Sequence, residues 1–303
     1  MFPPPTIIQT EVFARVPDRL HSNKPSPWVA ARQYGKLGSF LEGPSFDREG
    51  NLYCTDIPYG RIFRVSPQGE FEVVAEYDGE PNGLKIHKDG RIFICDHRKG
   101  LLQLDAKRGT VETVLESAHS EGFRGLNDLV FAANGDLYFT DQGQTGLQDP
   151  SGRVYRLRAD GTLTCLLRNI PSPNGIALDK EERNLFLNVT RANQVWRLPL
   201  LATGEVTKVG VFLQLSGGTG GPDGLAVDEN GGLAVAHAGF GCVWIFDKLG
   251  EPLYRVKSCA GHATTNLAYG GADRKTLYIT ESSSGQILMA KVPVAGGVLY
   301  SHR

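Results

Sequence analysis

Three features of the 303-residue sequence predict an all-β fold, a six-bladed β-propeller with four antiparallel strands in each blade. The first is a hairpin pattern. Residues 125–141 read GLNDLVFAANGDLYFTD, two short apolar runs on either side of an Asn134-Gly135-Asp136 turn, closing on Thr140-Asp141. The second is recurrence: six copies begin at Glu42, Asn82, Asn127, Asn174, Asp223 and Asn266, at intervals of 40, 45, 47, 49 and 43 residues. Self-similar hairpins at this period mark propeller blades rather than helical repeats. The third is register. Gly50, Gly90, Gly135 and Gly231 each fall eight residues after the start of their copy, and the copies at Asn174 and Asn266 fit with one extra turn residue.

Taken in order, residues 6–15 (TIIQTEVFAR) read as a strand ahead of the first copy, and residues 16–36 as an irregular, Pro- and charge-interrupted lead-in. Each copy then adds two short strands after its hairpin, such as 61–65 with 71–74 and 153–157 with 163–166. The sixth copy is short of strands, with only 286–289 and 297–300 after its hairpin. The early strand, near residues 7–13, is expected to complete it, closing the ring and removing a free sheet edge. No helix longer than two turns is expected. The repeat runs from about residue 40 to 290, so residues 1–303 read as a single propeller domain.

Composition narrows the function classes. A formal net charge of −1 gives no electrostatic footprint for nucleic acid or a membrane surface. No apolar run approaches the roughly 20 residues needed to span a bilayer, and the N-terminus MFPPPTIIQTE has no signal-peptide character. The five cysteines (Cys54, Cys95, Cys165, Cys242, Cys259) are scattered, without CxxC spacing, and read as free, small buried side chains in a reducing compartment. A cytoplasmic monomer or weak homo-oligomer is expected.

In a propeller the innermost strand of each blade lines a central channel, so equivalent positions lie at one height. Glu42, Asn82, Asn127, Asn174, Asp223 and Asn266 should therefore form a ring at one mouth. All six carry oxygen, and two are carboxylates. Asn-Gly and Asp-Gly pairs are ordinary turn formers, and taken singly each reads first as a turn; their shared register before an apolar strand asks for more. Converging carboxylate and amide oxygens without thiolate or clustered imidazole suit a hard divalent cation, calcium before zinc. Such a cation would offset the cost of burying two acids.

The motifs LEGPSFD at Glu42, RGLNDLVF at Asn127, SPNGIALD at Asn174, GGPDGLAVD at Asp223 and TTNLAYGG at Asn266 resemble those of the gluconolactonase/regucalcin (senescence marker protein) family over nearly the whole chain. The resemblance implies one divalent cation in the channel held by Glu42, Asn127, Asn174 and Asp223, with calcium, zinc, manganese or iron as the metal. It also implies hydrolysis of a small lactone. Sugar-lactone members can carry an Arg two residues before the third-blade Asn, where this chain has Gly125, with Arg124 one position earlier. The lactone is accordingly left open.

A cation with open positions polarises a lactone carbonyl and stabilises the developing oxyanion. Asp223 is the expected base for the attacking water, with direct nucleophilic attack and metal-bound hydroxide as alternatives. Fourteen residues after the ring positions stand Asp56, Asp96, Asp141 and His237, with Glu281 as the looser sixth-blade equivalent. Asp56 and Asp96 read as strand-end caps, whereas Asp141 and His237 are candidate substrate contacts. Asn82, Arg98, Arg124 and Asn266 complete the candidate substrate set, with Tyr59 and Phe240 as candidate pocket walls. A phosphotriesterase-like hydrolase and a non-catalytic metal-binding propeller are the alternatives to a lactonase.

Overall fold

The structure is a computed structural model describing residues 2–303. Six sheets, each built on four antiparallel strands, are arranged radially as propeller blades, and one of them carries a fifth strand. Their innermost strands are Leu41–Phe46, Pro81–Ile86, Leu126–Phe131, Pro173–Leu178, Gly221–Val227 and Thr264–Gly270. Each is joined to the second strand through a tight turn in the predicted register. Gly50, Gly90, Gly135 and Gly231 hold φ between 83° and 91° there, and in the two longer turns Glu182 and Arg274 take φ 53° instead. The core is divided among the blade interfaces. Between blades one and two, for example, Tyr53, Ile62 and Ala75 pack against Leu84, Ile94 and Leu102.

Closure differs from the single early strand expected. The N-terminal segment splits at Thr10. Glu11–Arg15 pairs antiparallel with Gln286–Lys291 and completes blade six. Thr6–Gln9 pairs in parallel with Pro252–Lys257 and becomes a fifth strand of blade five. Thr10 is the pivot: its N–H donates to the Lys257 carbonyl (3.0 Å), and its hydroxyl accepts from the Cys259 N–H (2.9 Å). Residues 297–300 form no strand. The chain end instead crosses the opposite mouth as a 3₁₀ turn, Tyr300–His302, held where Arg48 Nε donates to the Ser301 carbonyl at 2.7 Å. All five cysteines are free; Cys54, Cys95 and Cys242 are buried, while Cys259 is exposed, contrary to the expectation of burial. Among the described residues no helix is long and apolar enough to cross a membrane.

The inner strands share one irregularity that positions everything else. Each slips register against its second strand at or beside the ring residue: between Glu42 and Ser45, Pro81 and Leu84, Leu126 and Leu129, Pro173 and Ile176, Pro222 and Leu225, and Thr264 and Asn266. These bulges turn side chains toward the axis and leave backbone carbonyls unpaired. The preceding blade satisfies several of those carbonyls. Thr55 Oγ1 donates to Asn82 (2.7 Å), Thr140 Oγ1 to Asn174 (2.9 Å) and Asn188 Nδ2 to Asp223 (2.6 Å), while the Cys95 thiol reaches Asp128 at 3.6 Å. The ring pairs Asn82-Gly83, Asn174-Gly175 and Asp223-Gly224 thus lie inside strands and not in turns. Their glycines allow neighbouring strands to touch. A Cβ at Gly83 would lie 2.6 Å from the Asn127 carbonyl oxygen, and one at Gly175 would overlap the Asp223 carbonyl and come within 2.9 Å of Gly224 Cα.

Gly175→Ala should therefore destabilise the protein by roughly 1–3 kcal/mol through backbone overpacking. Gly122→Ala, where an added Cβ meets nothing within 4 Å, should be neutral or slightly stabilising. Parallel thermal melts check this, and equal melting temperatures would show that the inner strands can separate freely.

Candidate active site

The bulged strands bring Glu42, Asn82, Asn127, Asn174 and Asp223 onto the wall of one cavity of about 1000 Å³ at the channel mouth. Glu42, Asn127 and Asn174 are buried, and Asp223 opens onto the cavity. Two of the side chains, Glu42 and Asn127, are held from behind. Glu42 Oε2 accepts from the Gly43 N–H (2.7 Å) and from Asn266 Nδ2 (2.9 Å). Asn127 Nδ2 donates to Gln142 Oε1 (2.8 Å), and Gln142 Nε2 in turn donates to Ser172 Oγ (2.9 Å). With its nitrogen committed, Asn127 has its carbonyl oxygen free to accept.

A third acid, Asp128, occupies the bulge position that is glycine in blades one, two, four and five. It is 2% exposed, and its Oδ1 lies 3.6 Å from Lys85 Nζ. Lys85 reaches down the channel from a second cavity at the opposite mouth. Lys85 thus pairs with Asp128 and attracts Glu42 at longer range, Arg191 attracts Asp223, and among the described residues neither Glu42 nor Asp223 has an ion pair of its own. Burial pushes the Glu42 carboxyl up to about 7, with repulsion from Asp128 adding to it and the Gly43 and Asn266 hydrogen bonds opposing. Burial first, then Glu42 and Asp128, hold the Asp223 carboxyl well above the usual carboxylate range, against relief from the Asn174 amide and Arg191.

This charge imbalance fits a divalent cation, which would be held by the carboxylates of Glu42 and Asp223 and the amide oxygens of Asn127 and Asn174. Among the described residues no three acid, thiol or imidazole groups converge in metal-binding geometry, so the amide oxygens are an essential half of such a set. Asn266 does not line the cavity; it is 2% exposed and bonds Glu42, orienting a ligand candidate instead of meeting substrate.

The residues of the second register ring do not line the cavity. Asp56 accepts from the Phe40 N–H (2.7 Å), Asp96 from Glu80 (2.9 Å), Asp141 from Arg124 and Gly125 (2.7 and 2.9 Å), and Glu281 from Ala263 (3.0 Å). Each caps the chain entering its own inner strand. Asp141 is fully buried and bonded by Arg153 Nε at 2.8 Å, which removes it from the substrate set. His237 leaves the set as well. Its Nδ1 accepts from Trp244 Nε1 (3.2 Å), so Nε2 carries the proton toward the Gly217 carbonyl (3.1 Å), and burial favours that neutral ring. Arg98 is tied to Asp78 on the surface at 2.7 Å, and Arg124 is exposed outside the cavity wall. Phe240 stacks on His237, and the Tyr59 hydroxyl bonds the Leu37 carbonyl.

The walls come from places the repeat does not mark. Residues 16–40 fold over the mouth and carry the short helix Pro27–Ala31, capped by Ser26 Oγ accepting from the Val29 N–H. Trp28 stacks on Tyr34 and packs against Phe40, and all three face the cavity. His97 fills the space above Gly125, where φ is 144° and an added Cβ would overlap the imidazole. The side chain absent at position 125 is thus replaced, in space, by one from blade two.

Residues 40–283 match the family described as the SMP-30/gluconolactonase/LRE-like region. The chain is similar to a protein named lactonase drp35 from Staphylococcus aureus (strain MRSA252), 34% identical over 248 residues, which cover 76% of this chain and 72% of that one. Among solved structures it is similar to a calcium-binding protein, regucalcin, from Agrobacterium tumefaciens strain C58 (25% identity, TM-score 0.79, 98% and 99% of the two chains). It shares its fold with a gluconolactonase from Xanthomonas campestris (20% identity, TM-score 0.76, 97% and 99%).

The raised Glu42 pKa has a stability signature. Protonated Glu42 favours the fold fully below its ordinary pKa of 4.5, and that contribution is lost as pH rises through about 7. In chelator-treated protein, Glu42→Gln should therefore stabilise by on the order of 2–3 kcal/mol at pH 8.5 and by little at pH 4.5. Thermal melts of both proteins at the two pH values test this, and a pH-independent gap would remove Glu42 from the uncompensated cluster.

Proposed function

The chain belongs to the SMP-30/gluconolactonase/LRE-like family, and we propose that it is a metal-dependent hydrolase opening the ester ring of a small lactone. The observation that carries this reading is the convergence of Glu42, Asn127, Asn174 and Asp223 on one wall of a roomy cavity, where neither carboxylate has an ion-pair partner among the described residues. The relatives' name, lactonase, supplies the reaction class.

Bound there, a divalent cation would offset the acids and withdraw electrons from the lactone carbonyl; calcium is favoured because all four donors are oxygens. The rest falls to the chain. Glu42 is fixed by Gly43 and Asn266, and Asn127 by Gln142, so neither must reorganise during reaction. Asp223 takes a proton from the attacking water, whose oxygen bonds to the carbonyl carbon. The ring C–O bond then breaks, and the proton returns to the departing ring oxygen, giving the open hydroxy acid.

Asp223→Asn should lower kcat by at least about a hundredfold while the protein stays folded. Acid release from γ- and δ-lactones, followed in a pH-stat with chelator-stripped protein before and after adding Ca²⁺, Zn²⁺, Mn²⁺ or Fe²⁺, is the test. Turnover that persists in chelator would refute the metal requirement, and unchanged turnover in the Asn variant would take Asp223 out of the reaction. Silence toward lactones with hydrolysis of phosphotriesters would transfer the site to that chemistry.

A further inference from the structure

The cavity wall carries cations that the lactone-opening reading leaves unused. Arg32 follows the helix Pro27–Ala31, and its guanidinium lies over the Trp28 ring at 4.1 Å from the centroid, with Nη1 donating to the Trp28 carbonyl at 3.3 Å. This pose is pre-organised, and Arg32 lines the cavity. Among the described residues no carboxylate lies within ion-pair distance of Arg32. Loss of hydration, the leading influence, lowers its pKa, and Glu80 opposes this only through longer-range attraction. Arg32 is exposed at the cavity mouth and held in place by Trp28, so an anion can reach it without the side chain having to reorganise.

Its neighbours extend the same chemistry. The Arg32 charge reaches the His97 imidazole beside it, which sits above Gly125 on the same wall. Arg191, on the blade-four turn Thr190–Ala192, also lines the cavity and makes no ion pair or side-chain hydrogen bond among the described residues. Among the described residues, the acids on the wall are Glu42 and Asp223. With a divalent cation in place, three acids, Lys85 and the metal sum to zero, and the two arginines leave the mouth net positive.

We infer that the substrate is an anionic lactone, whose carboxylate or phosphate group binds Arg32 beside His97 while the ester carbonyl faces the Glu42–Asp223 wall. The inference rests on the lactone-opening reading and names its substrate class. Arg191 adds attraction at the mouth without contacting the same group, since blades one and four lie on opposite sides of a six-bladed ring.

The test compares metal-loaded protein on glucono-δ-lactone, its 6-phosphate and glucaro-1,4-lactone. The inference expects kcat/KM to favour one or both anionic lactones by roughly tenfold to hundredfold. Added salt should erode that preference, and Arg32→Met should raise KM for the anionic lactones by a similar factor more than for the neutral one. Arg32→Lys should restore part of the loss, and Arg191→Met should weaken the salt dependence. Preference for the phosphate or for the carboxylate identifies the anion. Equal kcat/KM for all three lactones, with Arg32→Met affecting them alike, overturns the inference while leaving lactone opening intact. If no lactone is opened, the lactonase reading fails. Calorimetry with 6-phosphogluconate against gluconate then decides the anion site: tighter binding of the phosphate that Arg32→Met abolishes upholds it, and equal binding overturns it.

Discussion

Six strands converge on one axis, and the room available there governs the molecule. An inner strand must come close enough to its neighbours to seal the channel, yet also aim a polar side chain into it. The register slip at each ring position meets both demands, and the glycine beside it in four of the blades lets the backbones touch. The exposed carbonyls that such slips create are taken up by Thr55, Cys95, Thr140 and Asn188 from the blade before. Site geometry and blade-to-blade cohesion are therefore one set of contacts, and a change in either disturbs the other.

Crowding at the axis also sets the electrostatics. Where blade three replaces the bulge glycine by Asp128, a third acid enters a space already shared by Glu42 and Asp223. Lys85 answers only one of them, from the far side. The result is a pair of carboxyls that hold protons more tightly than usual in the absence of further positive charge. Such a pair binds a cation in competition with protons, so metal affinity and acidity at this wall are a single linked property.

The fold was legible because a period-2 apolar pattern recurs with its turn glycine in fixed register, and six such copies leave little topological freedom. The ring residues were legible for the same reason. What escaped was whatever lies outside the repeat or depends on depth. Arg32, Trp28 and Tyr34 belong to a lead-in with no periodicity, and only its folding over the mouth makes them wall residues. Asp141 and His237 share a register with strand-end caps, and sequence could not show that Arg153 and Trp244 already occupy them. Asp128 had a visible signal, an acid where neighbouring copies carry glycine, but its weight appears only when Glu42 and Asp223 are seen beside it.

The way the ring is sealed bears on how the chain comes to be folded at all. Thr6–Gln9 and Glu11–Arg15 precede all six hairpin copies in the sequence, yet their partners, Pro252–Lys257 and Gln286–Lys291, belong to the last two blades. Blades one to four can assemble from local hairpins, whereas blade six keeps an unpaired edge until Glu11–Arg15 docks on it. That docking is a search between segments far apart in sequence, with a large loop-closure entropy and an aggregation-prone edge exposed meanwhile. Once made, the seam ties blade one's lead-in to blades five and six, so opening the ring there must begin by breaking it.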